Sequence, residues 1–214
     1  MLTYEILIPD DVRDGADLLV LLHGRGTDRH DLLPLATHLP SGSIVVTPQG
    51  PHPGAPWGYG AGWAWYRHVE GNRVESEGLH ASLAALESFL AELPAILPVA
   101  PGPLVLGGFS QGGTTSLAYA LTRPGTVASV LDLSGFLVND TEVPVTSDAL
   151  SETRIFWGHG TLDMVVHHSL AVSGRALLRS LDADLTERDY PMGHQISAEE
   201  LSDITAWLSG APRR

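Results

Sequence analysis

The sequence contains neither cysteine nor lysine among its 214 residues. The absence of cysteine excludes disulfides, iron–sulfur clusters, thiolate zinc sites and cysteine nucleophiles. The absence of lysine excludes lysine Schiff-base chemistry and a P-loop that needs its phosphate-binding lysine. Several classes of covalent and nucleotide-dependent enzyme are therefore ruled out.

Positive charge is also scarce, since 12 arginines face 25 acidic residues and the formal net charge is −13. Such a surface repels nucleic acid and anionic lipid headgroups, so we expect neither as a partner. Residues 1–11 lack the basic and apolar regions of a signal peptide, and the apolar stretch 95–108 is interrupted by prolines. We therefore expect no membrane span and a cytoplasmic location.

No sequence pattern indicates a cofactor or a metal. The 10 histidines show no H-x-H or H-E-x-x-H spacing. Such spacing would place two histidines on the same face of a strand or helix, where both could bind one metal ion. The alternating glycines Gly24-x-Gly26 and Gly58-x-Gly60-x-Gly62 do not complete a dinucleotide fingerprint. We expect the protein to need neither.

Short apolar runs alternate with longer amphipathic stretches, which is typical of a mainly parallel sheet with helices on both faces. We predict one α/β domain over residues 1–210, without a lid domain, and a short tail over 211–214. Predicted strands are Tyr4–Ile8 (an edge strand), Leu18–Leu22, Ser43–Thr47, Leu104–Gly107, Ser129–Leu133, Arg154–Trp157 and Leu185–Tyr190. Predicted helices are a short one near His30–Leu39, then Glu77–Leu93, Gln111–Thr122, Val165–Leu181 and Ala198–Leu208.

A G-x-S-x-G motif centred on Ser110 lies between an apolar strand and an amphipathic helix. That context is the one a nucleophile elbow requires. The serine occupies a strained turn, and side chains at Gly108 or Gly112 would collide with the packed elements. Ser110 is therefore the predicted nucleophile.

The acid and the base of such a site follow the serine in chain order, each after a later strand. Asp163 and His194 occupy those positions, so we expect His194 to take the serine proton and Asp163 to orient the imidazole. Asp132 is a less favoured alternative acid because it lies inside an apolar strand. The alternative bases are His159, which precedes Asp163, and the pair His167 and His168, which opens a helix.

Two backbone NH groups are predicted to bind the oxyanion. One belongs to Gln111 at the start of the helix after Ser110, and the other to Arg25 in the small-residue loop after the strand Leu18–Leu22. The Arg25 side chain could reach an anionic group of the substrate, or could point into solvent.

A segment rich in proline, glycine and aromatic residues follows the third strand. We read 47–62 as a loop over a pocket, with Trp63, Trp65 and Tyr66 as pocket walls and Trp57 as a further candidate. The alternative is that these aromatic residues pin the loop to the core. An exposed Trp-rich loop could also form an interface, which leaves a homodimer open.

Together these motifs resemble the phospholipase/carboxylesterase family of α/β hydrolases, which includes acyl-protein thioesterases and small bacterial carboxylesterases. The matching segments are Leu22–Gly26, Thr47–Pro51, Trp65–Tyr66, Gly107–Gly113, Leu133–Gly135, His159–Asp163 and Met192–His194. The resemblance implies a lidless hydrolase with the triad Ser110, Asp163 and His194 and no cofactor. Arg25 and the Pro/Gly/Trp segment at 50–62 depart from the thioesterase branch, so long-chain acyl specificity does not follow from the resemblance.

We therefore expect a serine hydrolase that cleaves short to medium acyl esters through an acyl-enzyme on Ser110. An acyl thioesterase or lysophospholipase of the same family is the alternative enzyme. A catalytically silent hydrolase fold that binds a ligand is the alternative from another class.

Overall fold

The protein is described here by a computed structural model, which covers residues 1–210. A seven-stranded sheet forms its centre. The predicted tail at 211–214 lies outside the described residues.

The strands and helices alternate along the chain as a mainly parallel sheet requires. The strands are β1 Tyr4–Leu7, β2 Leu18–Leu22, β3 Ile44–Pro48, β4 His52–Pro53, β5 Trp63–Ala64, β6 His68–Glu70, β7 Arg73–Val74, β8 Leu104–Phe109, β9 Ser129–Leu133, β10 Arg154–Gly160 and β11 Asp184–Tyr190. The helices are α1 Ser76–Ile96, α2 Gln111–Thr122, α3 His168–Ser180 and α4 Ala198–Ser209, with 3₁₀ turns at Leu33–His38, Ala55–Trp57 and Asp148–Leu150.

The strand order in the large sheet is β1-β3-β2-β8-β9-β10-β11. Only β1 is antiparallel to its neighbour, and every other pair is parallel. The prediction of an edge strand at the amino terminus is confirmed. Because parallel strands end at the same edge, the loops after β2, β8, β10 and β11 meet there.

Two apolar layers cover the sheet, as the alternation of side chains along a strand predicts. In β2, the side chains at positions 18, 20 and 22 pack with α1, α2 and α3. Those at 19 and 21 pack with α4 and the 3₁₀ turn Leu33–His38. The α/β fold with helices on both faces is confirmed.

Helix α1 is long and apolar enough to cross a membrane by length and composition alone. Its buried positions recur every three or four residues and face the core, which is the pattern of a helix covering a sheet. They are Gly78, Leu79, Ser82, Leu83, Leu86, Phe89 and Leu93. The helix continues one turn past the predicted end, because Pro94 removes one backbone hydrogen bond without preventing that turn.

Two predicted helices differ from the structure. Helix α3 starts at His168 rather than Val165, because the Asp163 carboxylate accepts hydrogen bonds from the backbone NH groups of Val165 and Val166 and holds them in a turn. The helix predicted near His30–Leu39 is a 3₁₀ turn over Leu33–His38, since only a few residues are available and a proline begins it.

The aromatic segment contains two small hairpins that the sequence did not reveal. Strands β4 and β5 pair with each other, and so do β6 and β7. Between β9 and β10 the chain forms loops and one 3₁₀ turn.

Candidate active site

Ser110 lies on the sharp turn between β8 and α2, with φ 56° and ψ −115°. This positive φ is strained for a side chain other than glycine and is typical of functional turns. A Cβ at Gly108 or Gly112 would overlap the carbonyl oxygen of Leu22 in β2. The two glycines therefore let the turn pack directly against the neighbouring strand, and the NH of Ser110 donates to the carbonyl oxygen of Leu133 at 2.8 Å.

A continuous chain of hydrogen bonds joins Ser110, His194 and Asp163. His194 Nε2 lies 2.9 Å from Ser110 Oγ, and His194 Nδ1 lies 2.7 Å from Asp163 Oδ2. The other carboxylate oxygen, Oδ1, accepts from the NH groups of Val165 at 2.8 Å and Val166 at 2.9 Å. The structure thus brings together the three residues that were selected from chain order, with the carboxylate and imidazole locked in orientation.

The two residues predicted to bind the oxyanion, Arg25 and Gln111, line one cavity with Ser110. Among residues 1–210, the NH groups of Arg25 and Gln111 have no hydrogen-bond acceptor in the protein. Gln111 begins α2, so its NH is one of the free donors at the positive end of the helix dipole. Both residues line the same cavity as Ser110, where such donors can bind a negatively charged oxygen.

His23 holds the loop that carries the Arg25 NH. Its Nε2 accepts from the NH of Gly50 at 2.9 Å, so the ring proton is on Nδ1 and is donated to the carbonyl oxygen of Gly24 at 2.6 Å. Burial lowers the pKa of His23, which keeps this neutral form. Trp65 Nε1 donates to the carbonyl oxygen of His23 at 3.0 Å, and the loop is thereby tied to the aromatic segment.

The Gln111 side chain is a structural residue that the sequence reasoning missed. Its Oε1 accepts from the NH of Trp65 at 3.0 Å, and its Nε2 donates to the carbonyl oxygen of Tyr66 at 2.9 Å. The oxygen and the nitrogen of the Gln111 side-chain amide therefore both connect the turn at Ser110 to the aromatic segment. No local pattern indicates this role, because the partners are 45 and 46 residues away.

Two cavities of very different size meet at Ser110. A narrow cavity of about 40 Å³ is lined in part by Tyr66, His68, Phe136 and Leu170. A wide cleft of about 360 Å³ also borders Ser110. Ser110, Arg25 and Val165 line both.

The aromatic residues predicted to form pocket walls divide into two groups. Tyr66 lines the narrow cavity. Trp65 is 0% exposed, and its Nε1 donates to the carbonyl oxygen of His23. Trp63 pairs with Pro53 across β4 and β5, and Trp57 packs on His52. None of the three tryptophans is among the residues that line the two cavities. These contacts favour the alternative that the tryptophans pin the loop, and the prediction that Trp63 and Trp65 contact substrate stays a prediction.

The guanidinium of Arg25 lies over the ring of Tyr59, 5.2 Å from its centroid. The side chain is exposed and borders both cavities. It could therefore meet a substrate group while the cation–π contact limits its movement.

The alternative acid and bases lie outside the hydrogen-bonded chain. Asp132 is 0% exposed and lies inside the fold, where burial raises its pKa to about 7. His159 donates to the carbonyl oxygen of Val166 at 2.8 Å, and burial lowers its pKa. His167 occupies the N-cap position of α3 without a side-chain capping bond, and His168 pairs with Asp189 at 2.9 Å.

A metal site is not evident. Within residues 1–210, no group of three or more His, Asp or Glu side chains is arranged to hold a metal ion. The expectation that catalysis needs no metal and no cofactor stays a prediction.

Comparison with known proteins shows the family of the chain. The family model described as Phospholipase/Carboxylesterase matches residues 6–211. Acyl-protein thioesterase 1 of Cryptococcus neoformans is 29% identical, and the match covers 90% of this chain and 91% of the fungal protein. Acyl-protein thioesterase 1 of Debaryomyces hansenii is 33% identical over 64% of this chain and 60% of its own.

Solved structures show the same fold. The crystal structure of esterase PE8 is similar with a TM-score of 0.77 and 26% identity, covering 97% of both chains. The Bacillus cereus carboxylesterase has a TM-score of 0.81 at 20% identity, covering 97% of this chain and 93% of that one.

Proposed function

Because the chain belongs to the phospholipase/carboxylesterase family, we propose that it is a serine hydrolase that cleaves short to medium acyl esters through an acyl-enzyme on Ser110. The observation that carries this proposal is the hydrogen-bonded chain from Asp163 through His194 to Ser110. It ends at an open cleft, where a substrate can reach the hydroxyl oxygen.

In the first half of the reaction, Ser110 Oγ attacks the ester carbonyl carbon and its proton passes to His194 Nε2. The carbonyl oxygen becomes an oxyanion and accepts from the NH groups of Arg25 and Gln111. His194 then gives the proton to the departing alcohol oxygen, and the carbon–oxygen bond breaks. The acyl group remains on Ser110.

Water completes the cycle. His194 takes a proton from a water molecule, which attacks the acyl-enzyme, and the acid leaves as Ser110 recovers its proton. Asp163 accepts from His194 Nδ1 throughout, which keeps Nε2 free to accept and stabilises the imidazolium. In this scheme, every proton transfer passes through His194.

The test is hydrolysis of p-nitrophenyl esters of increasing acyl length by the wild type and Ser110→Ala. We expect the variant to lose about 10⁴- to 10⁶-fold in kcat and to keep the thermal unfolding curve of the wild type. Ser134→Ala is the matched control, because Ser134 also follows a strand and has a positive φ but is 0% exposed. Equal activity of Ser110→Ala and wild type would contradict the serine mechanism, and no activity in folded wild type would favour a binding role.

Thioester hydrolysis is the second candidate activity, because the two fungal relatives named above are acyl-protein thioesterases. Measuring phenyl acetate and S-phenyl thioacetate side by side separates the two activities, since the acyl group is the same. Homodimer formation and a cytoplasmic location stay predictions.

A further inference from the structure

The two cavities that border Ser110 share Arg25, Ser110 and Val165 and differ in the rest of their lining. The wide cleft is lined by His194 together with Gln195 and Ile196, whereas the narrow cavity is lined by Gln111, Tyr66 and other residues but not by His194. This asymmetry orients any substrate that the proposed mechanism uses, so the inference below rests on the proposed function.

The orientation follows from the path of the proton. His194 Nε2 must reach the leaving oxygen in order to protonate it. The alcohol part of the ester therefore lies on the side of His194, in the wide cleft. The acyl chain, on the opposite side of the carbonyl carbon, enters the narrow cavity.

The narrow cavity limits the acyl chain by its volume. A volume of about 40 Å³ holds roughly three water-sized groups, which corresponds to an acyl chain of about two to four carbons. Tyr66 is 0% and Phe136 is 4% exposed, and their rings meet edge to face with centroids 6.3 Å apart. On the side formed by these two rings, the wall is packed and does not yield to a longer chain without cost.

The wide cleft has the size and lining of a site for an apolar group. Its volume of about 360 Å³ is within the range of small-molecule pockets. Leu32, Leu35, Phe109 and Ile196 are among its lining residues. This side can bury a leaving group that is much larger than the acyl group.

We infer that the substrates are esters of a short acid with a bulky apolar alcohol. In the balanced step, the bond between Ser110 Oγ and the acyl carbon forms and the bond from that carbon to the alkoxy oxygen breaks. The serine proton passes through His194 to that oxygen. The bulky alcohol leaves from the wide cleft, and water then releases the short acid.

Two isomeric esters test the inference directly: octyl acetate and ethyl octanoate contain the same atoms and differ only in which side carries the long chain. We expect kcat/KM for octyl acetate to exceed that for ethyl octanoate by at least about tenfold, which corresponds to two methylenes left without room. The measurement is acid release in a pH-stat below the solubility limit of both esters.

A matched pair of leucine variants tests which part of the substrate each cavity binds. Leu170 lines the narrow cavity and Leu35 the wide cleft, and both are partly buried. We expect Leu170→Ala to raise kcat/KM for ethyl octanoate several-fold relative to octyl acetate. Leu35→Ala should lower kcat/KM for octyl acetate without raising that for ethyl octanoate.

The outcomes separate this inference from the proposed function. If folded wild type cleaves p-nitrophenyl acetate but prefers ethyl octanoate, or cleaves both isomers equally, the assignment of the cavities is overturned and the serine esterase stands. Cleavage of p-nitrophenyl acetate with neither isomer accepted also overturns it. If no ester in the set is cleaved, the proposed function fails first.

Discussion

The carboxylate of Asp163 at the edge of the sheet differs sharply from the two carboxylates inside the layers, Asp132 and Glu200. All three are at most 3% exposed. Asp163 accepts hydrogen bonds from two backbone NH groups and from His194. Asp132 accepts one bond, from the NH of Gly135 at 2.8 Å, and within residues 1–210 no donor reaches either oxygen of the Glu200 carboxylate.

The difference shows that donors, rather than burial alone, decide what a buried carboxylate can do. Burial raises the pKa of Asp132 to about 7 and that of Glu200 to about 8. A carboxylate without donors is cheapest to bury as the neutral acid. The loop after β10 supplies donors that the interior does not, so only the edge position offers an acid that can orient a histidine.

The largest effect is expected for Asp163→Asn. The backbone NH groups of Val165 and Val166 retain the oxygen of the new amide at Oδ1, so its NH₂ group replaces Oδ2 and faces His194 Nδ1. The imidazole proton then moves to Nε2, which can no longer accept from Ser110. We expect kcat to fall about 10⁴-fold with the fold retained, as measured with p-nitrophenyl esters and near-ultraviolet circular dichroism.

If Asp163→Asn kept more than a tenth of wild-type activity, Asp163 would not be the acid that orients His194. In that case another acid, such as Asp132, would have to orient His194. Asp132→Asn in the same assay is the matched control, and its kcat should stay within about twofold of the wild type because Asp132 lies outside the hydrogen-bonded chain.

A smaller effect, on stability, is expected for Glu200→Gln. The pKa of Glu200 is 4.5 in an ordinary environment and about 8 in the fold, so between these pH values the native state holds a proton that the unfolded state has lost. The free energy of unfolding therefore falls as pH rises from about 4.5 to about 8. Glutamine carries no charge at any pH, so the variant should lack this contribution.

Urea unfolding of both proteins at pH 5 and pH 8.5 measures the difference. Near pH 5 the two should be similar, since the wild-type side chain is also neutral. At pH 8.5 we expect Glu200→Gln to be more stable by at least about 1.4 kcal/mol, the equivalent of one pKa unit. A constant difference at both pH values would show that the side chain acts through packing against Gly158, which its carboxylate contacts, rather than through its charge.

The smallest effect is expected for the stability of Asp132→Asn. The new amide oxygen can still accept from the NH of Gly135, and this donor already stabilises the charged form of Asp132, whereas within residues 1–210 no donor reaches the Glu200 carboxylate. We therefore expect stabilisation at pH 8.5 to be smaller than for Glu200→Gln and to disappear near pH 5. A larger gain for Asp132→Asn than for Glu200→Gln in the same urea series would reverse the proposed ranking of the two sites.

The elbow at Ser110 was predictable because its requirements are local. A strand, a serine between two glycines and a helix are contiguous in sequence, and the glycines are needed for the close approach to Leu22. Chain order then restricts the acid and the base to loops after later strands, which led to Asp163 and His194. Their hydrogen bonds needed the structure.

The aromatic segment was predicted less well because its contacts are distant. Trp65 looks like a pocket wall in sequence, but bonds to His23 and Gln111 turn the ring into the core. The hairpins at β4–β5 and β6–β7 carry proline and glycine, which local patterns assign to loops. The start of α3 was also misplaced, because a carboxylate from the preceding loop captures the NH groups that would have begun the helix.

By itself, then, the sequence determined the α/β class, the strand–serine–helix turn and the chain order of the candidate acid and base, since strand periodicity, glycine sterics and chain order act over short distances. Only the tertiary structure decided which carboxylates receive donors, which aromatic rings line a cavity and how the space divides around Ser110. Those properties depend on how side chains from separate elements pack together, and packing is not encoded in any single stretch of the chain.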